Sequence, residues 1–407
     1  MTRLTIESLG AQGDGIANIP SGPVFVPQAL PGEEVEAEIV KGRARAVSVV
    51  TQAPQRVTPP CKHFHDCGGC VIQHLERSPY EEWKRQKVVQ ALGSRGLQAE
   101  VEPLVSCPAH ARRRVALTAR KIGSRTLLGY NARQSHHVVD VEECPIARPE
   151  IVSALPQLRE LAAMLAATPK PFRIAVTVTQ TGLDIAVDGA GKVAERARQK
   201  ALTFSVEQGF ARLVLDGEAL VERQKPVLAV GKAAVIVPPA GFTQAVAEIE
   251  QVMAELVCGH LEKSKHAADL FSGLGTFALR LAENRRVHAV EGDAASLAAL
   301  DSAARQTPGL KPLTVEKRDL FHRPLLAKEL DQFDGVVFDP PRAGAEDQCR
   351  QLARAKVKRI AAVSCNPGTL ARDLAMLVEG GYRITRVVPL DQFLWSPHVE
   401  VVALLER

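Results

Sequence analysis

From about Gln244 onward, short apolar runs of strand length alternate with amphipathic stretches of helical length. The pattern predicts strands over 267–271, 287–290, 313–317, 335–338 and 359–363. Helices are expected before the first strand and over 277–283, 294–305, 348–355 and 368–379. Two closing strands, 383–389 and 399–405, have no helix between them. Strands separated by helices pair in parallel, with helices on both faces and ligands at the C-terminal ends of the strands. The class expected is α/β, with a doubly wound, Rossmann-like domain over residues 241–407. The final pair predicts an antiparallel edge strand.

The rest of the chain reads differently. Residues 1–55 show short β runs broken by Gly13-Asp14-Gly15 and Pro31-Gly32, and Glu34–Val40 alternates with the period of a half-buried strand. A small OB-like barrel is expected, either binding RNA or simply packing. Residues 56–240 mix strands (114–119, 138–141, 172–178, 183–187) with helices (79–92, 151–167, 193–201), a central α+β domain.

Chemistry-bearing residues gather at the ends of the C-terminal strands. Asp269-Leu-Phe271-Ser-Gly273-Leu-Gly275 sits where a buried strand turns into a helix, and its glycines allow a ligand close to the backbone. It lacks the third glycine of the dinucleotide fingerprint and any Walker lysine. Glu291 ends the next strand, about 20 residues on, where a carboxylate holds ribose hydroxyls. Asp319 follows the third strand, either meeting an adenine or capping its own loop. Asp339-Pro340-Pro341-Arg342 ends the fourth strand as a rigid lip. Ser364-Cys365-Asn366-Pro367 ends the fifth. A lone cysteine is often a small buried hydrophobe, but beside Asp339 and before a helix N-terminus Cys365 reads as a nucleophile with a stabilised thiolate. His398 and Glu400 share one face at the mouth of the last strand, and Glu400 reads as a general base or an exposed strand end.

Cys61-Lys-His63-Phe-His65-Asp-Cys67-Gly-Gly-Cys70 is a C-x5-C-x2-C run that needs a fourth ligand. Cys144, followed by proline, is the candidate for an iron–sulfur site. Zinc is the competing occupant, with His63 or His65 in place of a cysteine and Cys107 as a spare thiol. Eight cysteines without a leader resembling a signal peptide argue for reduced thiols and the cytoplasm. No apolar run of membrane-spanning length occurs. A charge of +5 permits a nucleic-acid partner without demanding one. Arg112-Arg113-Arg114, Lys121, Arg125 and Arg133 are candidates for phosphate contact, or a solvated face.

Together these segments resemble the RNA (uracil-5-)-methyltransferase family, the bacterial rRNA and tRNA 5-methyluridine enzymes. The match covers nearly the whole chain and is most specific at Ser364–Pro367 with Thr369-Leu-Ala-Arg-Asp373. It implies a TRAM domain at the N-terminus and a [4Fe-4S] cluster on Cys61, Cys67, Cys70 and Cys144. It implies Cys365 as nucleophile and Glu400 as base. Asp339, Phe242 and His398 would line the uracil pocket. Gln244, Phe271, Gly273, Gly275, Glu291, Asp319 and Asp339 would contact S-adenosylmethionine. The family's cysteine cluster is typical of its large-subunit rRNA members, so that RNA is the expected partner of a monomeric enzyme, with tRNA as the alternative. Leu394, Trp395 and Ser396 depart from the family pattern beside the base. Other readings are a methyltransferase for an exocyclic base amine, for which Cys365 would be superfluous, and a non-enzymatic RNA-binding Fe–S protein.

Overall fold

The computed structural model describes residues 1–407, the side chain of Ala46 excepted. The first six strands, Thr2–Thr5 to Arg43–Thr51, form one six-stranded sheet. Along Glu34–Val40, Val35 and Ala37 point into the core while Glu36 and Glu38 face solvent, as a period of two requires.

The central sheet has seven strands, from Val138–Asp140 at one edge to Glu218–Glu222 at the other. Helices Leu155–Leu165 and Glu195–Glu207 pack on it through Leu158, Leu161 and Phe204. The single helix expected over 151–167 is two, Pro149–Ser153 and Leu155–Leu165. Pro156, at the start of the second, lacks the N–H that would continue the first.

The C-terminal sheet runs in the order Leu313–Lys317, Arg286–Glu291, His266–Leu270, Gly335–Phe338, Arg359–Ser364, Glu400–Glu406, Arg383–Asp391, Val105–Ser106. The first five are parallel. The antiparallel strand is not the edge strand expected: Glu400–Glu406 inserts between Arg359–Ser364 and Arg383–Asp391. That insertion carries Glu400 to the same rim as Cys365, since Ser364 pairs with Val401.

Helix Arg77–Gly93 and the short strand Val105–Ser106 lie within the stretch read as central, yet they pack on the C-terminal sheet. Val88, Leu92, Val101 and Leu104 share a core with Leu370, Leu374 and Leu377. Burying each such side chain contributes about 1.5–3 kcal/mol, so this segment is part of the core of the C-terminal domain. Among the described residues, no helix is long and apolar enough to cross a membrane.

Candidate active site

A cavity of about 830 Å³ opens at the C-terminal rim of the eight-stranded sheet, where the strand order reverses. On one side of the reversal its wall carries Phe271, Gly273, Glu291 and Asp319. On the other it carries Asp339, Cys365 and Glu400. Phe242 and Gln244 close it from the preceding segment. The nucleophile, base, uracil-pocket and cofactor candidates singled out in sequence therefore converge on one space, with two exceptions.

Gly275 is the first exception. Its φ of +90° is left-handed, and a Cβ there would stand 2.8 Å from Leu300 Cδ1. It lets the glycine turn pack against helix Ala294–Gln306 and does not line the cavity. His398 is the second. It lies behind the lip, with Nδ1 3.4 Å from an Arg342 Nη2. Burial, then the charge of Arg342, lowers its pKa to about 4, which keeps it neutral.

The Glu291 side of the cavity is preformed. Glu291 accepts from the N–H groups of Gly273 (2.9 Å) and Asp293 (2.8 Å), which fixes its carboxylate at the cavity wall. Asp319 does cap its own loop, accepting from Phe321 N–H at 3.0 Å, and also lines the cavity. Phe271 and Phe321 form a tilted pair with centroids 5.4 Å apart. Buried hydroxyls of Thr243 and Ser272, both on the cavity wall, have no hydrogen-bond partner among the described residues. Orphaned polar groups beside a held carboxylate and an aromatic wall suit an adenosine-bearing cofactor.

The Cys365 side is more buried. Asn366 caps helix Pro367–Glu379 and donates to the Arg342 carbonyl at 3.0 Å, tying the Cys365 turn to the Asp-Pro-Pro lip. Asp373 accepts from Ala345 N–H at 2.7 Å and fixes the lip's far end. Burial raises Asp339 to about 7; burial, with the nearby charge of Asp339, raises Glu400 to about 8. The stabilised thiolate expected at Cys365 is not found. Burial, then the charges of Glu400 and Asp339, pushes this thiol up to about 11, and Arg342 opposes them only in part.

Gln392 was missed in sequence. It is 2% exposed and bridges the two halves of the pocket, donating to Gln244 Oε1 (2.9 Å) and Glu400 Oε2 (2.7 Å). Gln244 in turn donates to Asp339 Oδ2 at 3.1 Å. No local pattern distinguishes such a glutamine from a solvated one; only the pairing of the last two strands brings it to Glu400.

The basic candidates divide. Arg113 is buried, bonded to Glu250 and the Gln244 carbonyl. Arg133 donates to the Cys70 carbonyl at 2.8 Å and stacks over Phe64. Both are used internally. Arg112 and Arg114 line the cavity with Arg173 and Arg342, and Arg114 lies over the ring of Phe242, which is 66% exposed.

Cys61, Cys67, Cys70 and Cys144 line one small enclosed cavity, with His63 beside them. Gly68 approaches the 125–131 strand so closely that a Cβ would stand 2.7 Å from the Asn131 carbonyl. Tyr130 Oη is 3.9 Å from Cys144 Sγ. All four cysteines are free thiols. Among the described residues, no three His, Cys, Asp or Glu side chains stand close enough to chelate one ion. His65 instead bonds Gln28, and Cys107 is buried in the C-terminal core, so neither joins the cluster.

Comparison with known proteins bears on this architecture. The tRNA (Uracil-5-)-methyltransferase family model matches residues 313–407, and the TRAM domain model matches residues 2–47. An RNA methyltransferase of Brucella suis is 53% identical over 405 residues, covering 100% of this chain and 98% of its own length. The 23S rRNA (uracil(1939)-C(5))-methyltransferase RlmD of Chromohalobacter salexigens is 32% identical over 431 residues, covering 99% of this chain and 89% of its own. The fold matches the tRNA (uracil-54, C5)-methyltransferase of Pyrococcus abyssi, crystallised with S-adenosyl-L-homocysteine. The TM-score is 0.76 at 24% identity, over 99% of this chain and 100% of that one. With its TRAM domain, its cofactor-shaped cavity and a full-length relative of this kind, the chain belongs to the RNA (uracil-5-)-methyltransferase family of S-adenosylmethionine-dependent enzymes.

Proposed function

We propose that the protein methylates C5 of one uridine in large-subunit rRNA through a covalent bond between Cys365 and C6. The observation that carries this reading is the single cavity shared by Cys365, Glu400 and Asp339 with the nucleoside-binding wall. C5 of uracil is a weak nucleophile. Sulfur adding to C6 pushes the ring electrons toward O4 and makes C5 reactive. The cofactor supplies an electrophilic methyl group. Cys365 adds to C6, and after methyl transfer Glu400 removes the C5 proton, so that the thiolate leaves.

Asp339 recognises the uracil edge. Its raised pKa makes the neutral acid accessible near pH 7. A neutral carboxyl accepts from N3–H and donates to O4, the pairing cytosine reverses. The target base must leave its stack to reach Cys365, at a cost of a few kcal/mol. Arg112, Arg114, Arg173 and Arg342 at the cavity rim hold the flanking phosphates.

Cys61, Cys67, Cys70 and Cys144 hold a [4Fe-4S] cluster. The four thiols line one cavity, and cysteine-only ligation closed by Cys144-Pro145 suits such a cluster. Its part is structural, because the methyl transfer moves no electrons to or from a metal. Iron and sulfide analysis of anaerobically purified protein tests it; zinc in place of iron would overturn it. The rRNA assignment rests on the likeness to the 23S enzyme and is tested by mapping 5-methyluridine in total RNA of a deletion strain. Loss from tRNA alone would redirect it. A stalled adduct with 5-fluorouridine RNA, absent in Cys365→Ala, tests the covalent step.

A further inference from the structure

Gln392 follows directly on strand Arg383–Asp391, in the loop that leads to Glu400. Its Oε1 accepts from the backbone N–H of Ala245 at 3.0 Å. A backbone N–H only donates, so this bond decides which end of the amide is oxygen. Nε2 must then give one proton to Gln244 and the other to Glu400. With its oxygen engaged, Gln244 turns its own NH2 to Asp339. One backbone donor thus sets the direction of the whole chain of bonds. Glu400 Oε2 and Asp339 Oδ2 are acceptors within it, and any proton on either carboxyl belongs to the other oxygen.

We infer that Gln392 is a positioning residue for the final proton removal: its amide aims Glu400 and favours its ionised form. The inference rests on the covalent mechanism proposed above. In that step the Glu400 carboxylate takes the C5 proton. The C5–H electron pair becomes the C5=C6 bond, and the C6–S pair returns to Cys365 as thiolate. The groups facing Glu400 are the Asp339 carboxyl from the lip and the Cys365 thiol from the neighbouring strand, with Arg342 acting on Cys365. Neither donates to Glu400 as Gln392 does, so the amide's hydrogen bond is what favours the charged base within this buried pocket.

The test compares wild type with Gln392→Met, which keeps length but has no donor, and Gln392→Glu, which keeps shape but adds a charge. Three readouts are taken on ordinary uridine RNA: turnover against pH, the fraction of enzyme covalently bound to methylated RNA, and S-adenosylmethionine affinity. In the Met variant turnover should fall by about tenfold or more. The acidic limb of its profile should move up by about one pH unit. Methylated adduct should accumulate, because addition and methyl transfer are intact while elimination is slow. Gln392→Glu should move the limb further in the same direction. A Met variant with an unchanged profile and no accumulated adduct overturns the inference, as does lower turnover without either signature, which marks a merely structural residue. If the Met variant does not fold, Gln392→Glu decides on the same readouts. Failure of wild type to form an adduct with 5-fluorouridine RNA would sink the covalent reading instead.

Discussion

The Lys84 ammonium lies 2.5 Å from Asp391 Oδ1, with both side chains fully shielded from solvent. Tyr80 donates its hydroxyl to the same carboxylate and accepts from the Trp395 N–H at 2.8 Å. Lys84 also reaches the Phe393 carbonyl at 3.0 Å. Helix Arg77–Gly93 thereby grips the loop between Asp391 and Glu400, and Val71, next to Cys70, donates to the Trp395 carbonyl at 2.8 Å from the other side. Removing one partner of a buried pair strands the other charge. Lys84→Met should lower the unfolding free energy by about 3–5 kcal/mol, read by urea denaturation, and speed amide exchange in residues 392–398. A loss below about 1 kcal/mol would place the pair among weak surface contacts.

Asp339 separates two recognition schemes. If it binds uracil as the neutral acid, Asp339→Asn preserves the pattern: the amide oxygen accepts from Gln244 and N3–H, and the NH2 donates to O4. Asp339→Ala should cut kcat/KM by about 10²–10³, the usual cost of losing a donor at a developing oxyanion. Asp339→Asn should stay within about tenfold of wild type. Equal damage from both substitutions would mean that the carboxylate acts in its ionised form.

The arginines make a contrast that salt titration can read. Arg114→Gln and Arg173→Gln should each reduce the slope of log binding constant against log salt by about one. Arg113→Gln should leave the slope alone and lower stability, since it breaks the contact with Glu250. Identical slopes for wild type and the Arg114 and Arg173 variants would remove the rim from the RNA interface.

The seven longer strands of the C-terminal sheet were legible to within a residue or two, because buried strands are apolar runs and their rims carry the polar groups; the short strand Val105–Ser106 was not. Cys365, Asp339 and Glu291 were singled out that way, each at or just past the end of such a strand. What stayed hidden was partnership. Periodicity tells that a face is buried, not what covers it, so helix Arg77–Gly93 gave no sign of belonging to the C-terminal core. The insertion of Glu400–Glu406 is a pairing between distant segments, and Gln392 acquires its role only through that pairing. Arg113 and Arg114 are neighbours in an identical run of charge, and only the distant partners Glu250 and the Gln244 carbonyl bury Arg113 while Arg114 stays partly open over Phe242.

Cys365 is protonated in the cofactor-free protein, and this sets a last prediction. The thiolate attacks, not the thiol. With the group near 11, raising the pH toward that value increases the reactive fraction, and lowering it reduces that fraction tenfold per unit. Arg342 is the cation that favours the thiolate, so Arg342→Met should move the midpoint further up. The positive sulfonium of S-adenosylmethionine should move it down, and the uncharged sulfur of S-adenosylhomocysteine should do so less. The difference in thiolate ultraviolet absorbance with and without Cys365→Ser in the same background, followed against pH, reads each midpoint. A cofactor-free midpoint at or below the ordinary thiol value would mean that the pocket activates the nucleophile by itself, and that cofactor binding is not what readies it for uridine.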